Sequence, residues 1–155
     1  MKGDAKVIAY LNKILAMELT AWDQFFIHSK MYEDMGYSRL SERIAHEMDD
    51  EQEHAKMLIT RILFLEGTPD MTHQQPAGVG KSVPEMLQND LNLEHKVATL
   101  LREAISYCES VRDFTSSQIL IKLLKDTEED HALWLRQQLG HIERTGLENY
   151  LMSCI

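Results

Sequence analysis

One pattern runs through this chain twice. Glu18 is followed by Glu51-Gln52-Glu53-His54, and Glu94 is followed, at a spacing longer by a single position, by Glu128-Glu129-Asp130-His131. Each half therefore contributes one lone Glu and one E-x-x-H, and the two copies are offset by about half of the chain. In a helix, positions i and i+3 share a face, so each E-x-x-H presents two polar side chains to one point. The apolar residues around these positions recur at helical spacing, so the repeat predicts two similar helical pairs facing a shared interior.

Helix one is expected from about Asp4 to about Glu33, on a stripe of Leu11, Ile14, Leu15, Glu18, Trp22, Phe25 and Phe26. Asp4 is its predicted N-cap and Gly36 its stop. Helix two is expected from about Ser38 to Glu66, on Leu40, Ile44, Glu47, Glu51, His54, Leu58, Ile62 and Leu65, with Gly67 closing it. Helix three opens at Ser82-Val83-Pro84-Glu85, a capping box with Pro in the first turn. Its stripe is Leu87, Leu91, Glu94, Ala98, Leu101, Ile105 and Cys108. Helix four begins after Asp113 and reads Ile121, Leu124, Glu128, His131, Leu135 and Leu139; Gly146 then precedes a short helix from Leu147 to about Ser153.

The segment from Gly67 to Lys81 is too long for a hairpin between antiparallel neighbours, which takes about 2–8 residues. Helices of this length span roughly 42 Å. Fifteen extended residues reach about 50 Å, enough to cross the whole bundle and set helices two and three parallel. The expected fold is all-α, a four-helix bundle of ferritin-like topology with one long crossover and a short fifth C-terminal helix, as a single domain over 1–155.

Glu18, Glu51, Glu94 and Glu128, with His54 and His131, stand where these stripes call for hydrophobes. A buried unpaired carboxylate costs several kcal/mol or gives up its charge. No Lys or Arg lies on the stripes to offset them. Two divalent ions carry four positive charges, the number four glutamates need, and neutral imidazoles would complete the set. Oxygen and nitrogen ligands without thiolate suit iron or manganese, and two lone Glu plus two E-x-x-H is the interior ligand set of carboxylate di-iron bundles. Taken alone, a lone Glu on a stripe or a single E-x-x-H is an ordinary surface feature; the repeat is what carries the inference.

Composition excludes several other classes. The net charge of −9 argues against binding nucleic acid through a basic face. No run approaches about 18 apolar residues, so no membrane span is expected, and the opening MKGDAKVIAY carries no signal-peptide pattern. Cys108 and Cys154 form no spaced motif and are read as free thiols of a reducing cytoplasm, Cys108 as a small core residue.

The chain resembles the bacterioferritins over nearly its whole length. The resemblance is carried by the opening MKGD..VI.YLNK, by RILFLEGTP, by the ending GLENYL and by both E-x-x-H motifs. It implies a ferroxidase and iron-storage subunit of a hollow 24-mer, with the last helix at the fourfold axis. By the match, Glu18 and His54 would hold one iron, Glu94 and His131 the other, and Glu51 and Glu128 would bridge them. Two ferrous ions would be oxidised together by dioxygen or peroxide and the ferric product mineralised in the cavity. His46 and Asp50 match a family iron site on the inner wall; as an i, i+4 pair they also read as an ordinary exposed contact.

Two departures from the family pattern matter. Bacterioferritins bind haem through a Met placed immediately after the first bridging Glu, and here that position is Gln52, a poor ligand for haem iron. A homo-oligomer is therefore expected to lack haem, with a haem-binding bacterioferritin subunit and a ferredoxin-type reductant as implied partners. Phe25 stands where the family commonly has Tyr; Trp22 and Trp134 are read as core. His28, His73, His95 and His141 show no partner at ligand spacing. The rival readings are a di-iron oxidase or peroxidase that stores nothing, and a structural partner subunit of a mixed cage.

Overall fold

A computed structural model of the chain describes residues 1–72 and 74–155; His73, read above as having no partner at ligand spacing, falls outside the described residues. Helices α1 (Ala5–Asp34), α2 (Ser38–Phe64) and α3 (Val83–Ser110) are followed by α4, residues 114–145, and by α5 (Leu147–Met152). Within α4, an α-helical stretch Phe114–Lys125 passes through a π-helical turn, Asp126–Ala132, into a second α-helical stretch, Leu133–Thr145. Among the described residues there is no strand, and no helix is long and apolar enough to cross a membrane.

The caps explain the boundaries. Asp4 accepts from the backbone N–H groups of Lys6 and Val7, and Ser82 from that of Glu85. The Glu85 carboxylate in turn accepts from the N–H of Lys81, one residue before the cap. Gly36 and Gly146 both take positive φ at helix ends, where a side chain would be strained. The end of α2 differs from expectation. Glu66 occupies the left-handed position, at φ 62, and Gly67 follows it, donating to the Ile62 carbonyl. Gly67 is small for another reason: a Cβ there would lie 2.8 Å from Ile8 Cγ2.

Contacts at the helix ends fix the topology. Gly3 donates to the Leu65 carbonyl, so the start of α1 meets the end of α2. Arg61, near the end of α2, donates to Asp113 and Ser116 at the start of α4. Tyr107, near the end of α3, donates to Asp4. Gly80, just before α3, sits against His28 near the end of α1. Helices α2 and α3 are therefore parallel, and the intervening segment crosses the full length of the bundle.

A polar ladder on α1 holds that crossover. Asn12 donates to the Thr68 carbonyl and accepts from Asp70 N–H; Thr20 donates to the Gln75 carbonyl; Gln24 accepts from Gly78 N–H. His28 Nε2 accepts from Gly80 N–H at 3.0 Å, which puts the ring proton on Nδ1, where it is donated to Asp90 at 2.8 Å. His28 and Asp90 are fully buried, and burial pushes the Asp90 carboxyl above its ordinary range. These residues recur at multiples of four, so a second stripe of α1 binds backbone instead of packing.

The apolar core falls into two parts. One holds Val7, Leu11, Leu15, Leu58, Ile62 and Leu101; the other holds Phe25, Tyr32, Leu40, Ile44, Met86 and Leu87. Glu18, Glu51, His54, Glu94 and His131 lie between them along their helices, so a polar layer interrupts the core of every long helix. The Cys108 and Cys154 thiols are free and buried, and burial pushes Cys108 up to about 11, making it unreactive. Two assignments of the apolar stripes are corrected. Phe26 is exposed, on the outer side of α1. In the first half of α4 the buried apolar residues are Leu120 and Leu123, followed by Thr127 in the π turn, while Ile121 is 46% exposed. The π turn is the reason: it carries one extra residue per turn, so the inward phase before it is shifted by one from the phase after it.

Candidate metal centre

Each long helix delivers its polar residue to the same level of the bundle. Glu18 comes from α1, Glu51 and His54 from α2, Glu94 from α3 and His131 from the π turn of α4; all five are at most 1% exposed. On α2, Glu51 and His54 share a face because they are three residues apart. His131, near the end of the π turn, is buried on the same face as Leu135 one turn further on.

The five side chains form two groups of ligand atoms lying within 4.8 Å of one another. One is Glu18, Glu51 and His54; the other is Glu51, Glu94 and His131. His54 Nδ1 lies 3.0 Å from Glu18 and 3.6 Å from Glu51; His131 Nδ1 lies 3.2 Å from Glu51 and 3.7 Å from Glu94. Glu51 is thus common to both, one oxygen toward each ring. The two imidazoles are nearly parallel, with centroids 6.1 Å apart.

The far nitrogen of each ring is held from outside. His54 Nε2 meets Asp126 at 2.9 Å, across from α2 to α4. His131 Nε2 meets Glu47 at 2.5 Å and Asp50 at 3.1 Å, across from α4 to α2. A carboxylate on the far side of a metal-binding imidazole fixes its orientation and raises its basicity. Sequence reasoning misses this role for both Asp126 and Glu47, although a signal exists: Asp50 and Asp126 are related by the same offset as the two halves of the repeat. An Asp126→Ala variant should bind a divalent ion at the Glu18–His54 group roughly tenfold more weakly in an anaerobic Co²⁺ titration, with the other group little changed.

Within the centre, the imidazoles are the groups that can carry positive charge. Burial works against charging both of them, but the adjoining carboxylates outweigh it: Glu51 and Asp126 raise His54, and Glu47, Glu51 and Glu94 raise His131 far more. Glu51 is conversely held below its ordinary range by the two rings, against the pull of burial. Burial, then the neighbouring Glu51 charge, pushes Glu94 up to about 7. Carboxylate oxygens on Glu18, Glu51 and Glu94 remain buried without a hydrogen-bond partner among the described residues. Unmatched buried acceptors converging on two points, each completed by an imidazole nitrogen, are what a pair of hard divalent cations requires.

The other expected residues lie elsewhere. Glu128 is directed outward and pairs with Arg102 of α3, its side chain 38% exposed. His46 is exposed and stands 3.8 Å from Asp50, which turns to His131. Gln52 is exposed. Phe25 is buried in the core, Trp22 packs edge-on to Phe26, and Trp134 lies under the Arg43 guanidinium.

The chain is similar to known proteins over nearly its whole length. The ferritin-like domain family model matches residues 8–145. The bacterial ferritin of Synechocystis sp. is 57% identical over 153 residues, covering 99% of this chain and 98% of the relative. The bacterial ferritin of Pseudomonas aeruginosa is 55% identical over 157 residues, covering all of both. The bacterioferritin of Rhodobacter capsulatus is 40% identical over 152 residues, covering 98% of this chain and 94% of the relative.

Proposed function

Because the chain belongs to the ferritin-like family, we propose that it oxidises ferrous iron at this centre and stores the ferric product in a cage of its own copies. The observation that carries the reading is the pair of buried ligand groups joined through Glu51. Glu18, Glu51, His54, Glu94, Glu128 and His131 are the proposed iron-binding residues, and all of them but Glu128 already converge.

The chemistry follows from that adjacency. Two ferrous ions each give up one electron to a shared oxidant: with dioxygen and two protons the product is hydrogen peroxide, and with hydrogen peroxide and two protons it is two waters. Taking both electrons in one encounter avoids superoxide. Glu47, Asp50 and Asp126 keep the imidazoles turned so that Nδ1 faces the iron. His46 and Asp50 are proposed as a second, inner-surface iron site, with Asp50 serving both.

The proposed assembly is a 24-mer. Phe26, Ile27, Leu63, Phe64 and Phe114 are large, apolar and exposed on the single chain, as subunit interfaces require. The homo-oligomer is proposed to be without haem, since Gln52 offers no thioether. Release of stored iron would then draw on a ferredoxin-type reductant, directly or through a haem-binding partner subunit. The proposed location is the cytoplasm.

One preparation tests these points. Purified protein should elute as a cage, show no Soret band, bind two Fe²⁺ per chain anaerobically and retain ferric mineral after admission of air. A dimer that oxidises iron but retains none would make it a non-storing oxidase. A cage that oxidises nothing would make it a structural subunit.

A further inference from the structure

Glu128 is the one member of the proposed ligand set that the fold places outside the centre. It lies on the π turn of α4, three residues before His131, and its carboxylate accepts from the Arg102 guanidinium. A surface cleft of about 310 Å³ surrounds the pair, lined also by His95, Thr99 and Arg136. The withdrawn carboxylate is therefore solvated and beside cationic side chains, while its expected place is among Glu18, Glu51 and Glu94, all at most 1% exposed.

We propose that Arg102 is a latch: it holds Glu128 out of the metal-free centre and releases it when two divalent cations arrive. The inference rests on the di-iron reading above and adds a control to it. Charge counting supplies the reason. Three carboxylates already converge in the apolar core on two imidazoles that Glu47, Asp50 and Asp126 also face, and a fourth would add a buried negative charge beyond what the two rings can offset. Two divalent ions bring four positive charges, and only then does a fourth carboxylate lower the energy. The latch must be weak to be displaced, and it is: Arg102 and Glu128 are 57% and 38% exposed, and exposed pairs contribute little. The π turn supplies the play, since its wider winding is where a helix most easily changes which side chain faces inward.

Arg102 is thus a positioning residue, acting through Glu128. The test is anaerobic titration with Co²⁺, followed by its visible absorption, on the assembled wild type and on Arg102→Gln, Arg102→Lys, Glu128→Gln and the Arg102→Gln/Glu128→Gln pair. The second Co²⁺ should bind about 2- to 5-fold more tightly in Arg102→Gln. Arg102→Lys should behave as the wild type, because a lysine can still pair. Glu128→Gln should weaken the second ion by roughly tenfold or more, and in that background the Arg102→Gln effect should vanish. An unchanged or weaker second ion in Arg102→Gln, or equal tightening in the Glu128→Gln background, overturns the latch while leaving the centre intact. A wild type that binds fewer than two Co²⁺ per chain overturns the di-iron reading itself, and the latch with it.

Discussion

Glu51→Ala should cost the protein both of its metal ions at once. Glu51 is the residue shared by the two ligand groups, with one oxygen 3.2 Å from His131 Nδ1 and the other 3.6 Å from His54 Nδ1. Removing it leaves each ion one carboxylate and one imidazole of its own, with Glu128 as the sole remaining candidate for a shared ligand. Changes to the partners behind metal ligands already cost about 10–100-fold, so loss of a shared ligand is expected to slow aerobic Fe²⁺ oxidation by more than roughly 100-fold. Glu18→Ala should instead weaken mainly the ion at His54. Stopped-flow oxidation measures the rate, and Co²⁺ titration measures the stoichiometry. The fold should survive at some cost in metal-free stability, because the apolar core on either side packs without Glu51 while the two imidazoles lose the carboxylate they share. If Glu51→Ala still takes up two tightly bound Co²⁺ per chain, the centre has been placed wrongly.

The parts of this centre legible from sequence are those that obey regular helix geometry. Glu18, Glu51, His54 and Glu94 sit on α-helices, where stripe position translates directly into burial, and all four are buried where the stripes put them. His131 is reached by the same spacing and is buried too. Glu128 is not, because the rule of i and i+3 assumes an unbroken α-helix. The π turn Asp126–Ala132 inserts its extra residue there, so Glu128 and His131 do not share a face. No composition marks such a turn; it is a response to packing on both sides. The crossover is legible from its length, but its attachment is not. Thr20, Gln24 and His28 look like interruptions in an apolar helix until the loop backbone they bind is seen. The roles of Glu47 and Asp126 are hidden for a related reason, since each is defined by the helix opposite and not by its own.

Glu94→Gln should make the metal-free protein more stable and the metal-loaded protein less so. Burial, then the Glu51 charge, raises the Glu94 carboxyl from 4.5 to about 7 in the fold. Raising a carboxyl means that the folded state disfavours its charged form. Below about pH 4.5 the group is neutral both folded and unfolded, and folding incurs no cost from it. Between 4.5 and 7 the unfolded chain ionises first, so the cost grows with pH, and above 7 it is complete. A shift of this size corresponds to about 3 kcal/mol. Gln keeps the shape and cannot ionise, so the variant should melt roughly 5 °C or more above the wild type at pH 8 without metal. The two should converge near pH 4.5. Adding Co²⁺ at about 1,000 times its wild-type dissociation constant should reverse the order at pH 8, because it then stabilises the wild type by about 4.1 kcal/mol, more than the buried charge costs, and the variant has lost a carboxylate to hold it. Thermal melts with and without Co²⁺ at the two pH values read all four states. A metal-free Glu94→Gln that melts below the wild type at pH 8 would mean that the buried acids are not under electrostatic tension. The tension is what the metal reading depends on: a core that tolerates these carboxylates comfortably has no need of cations.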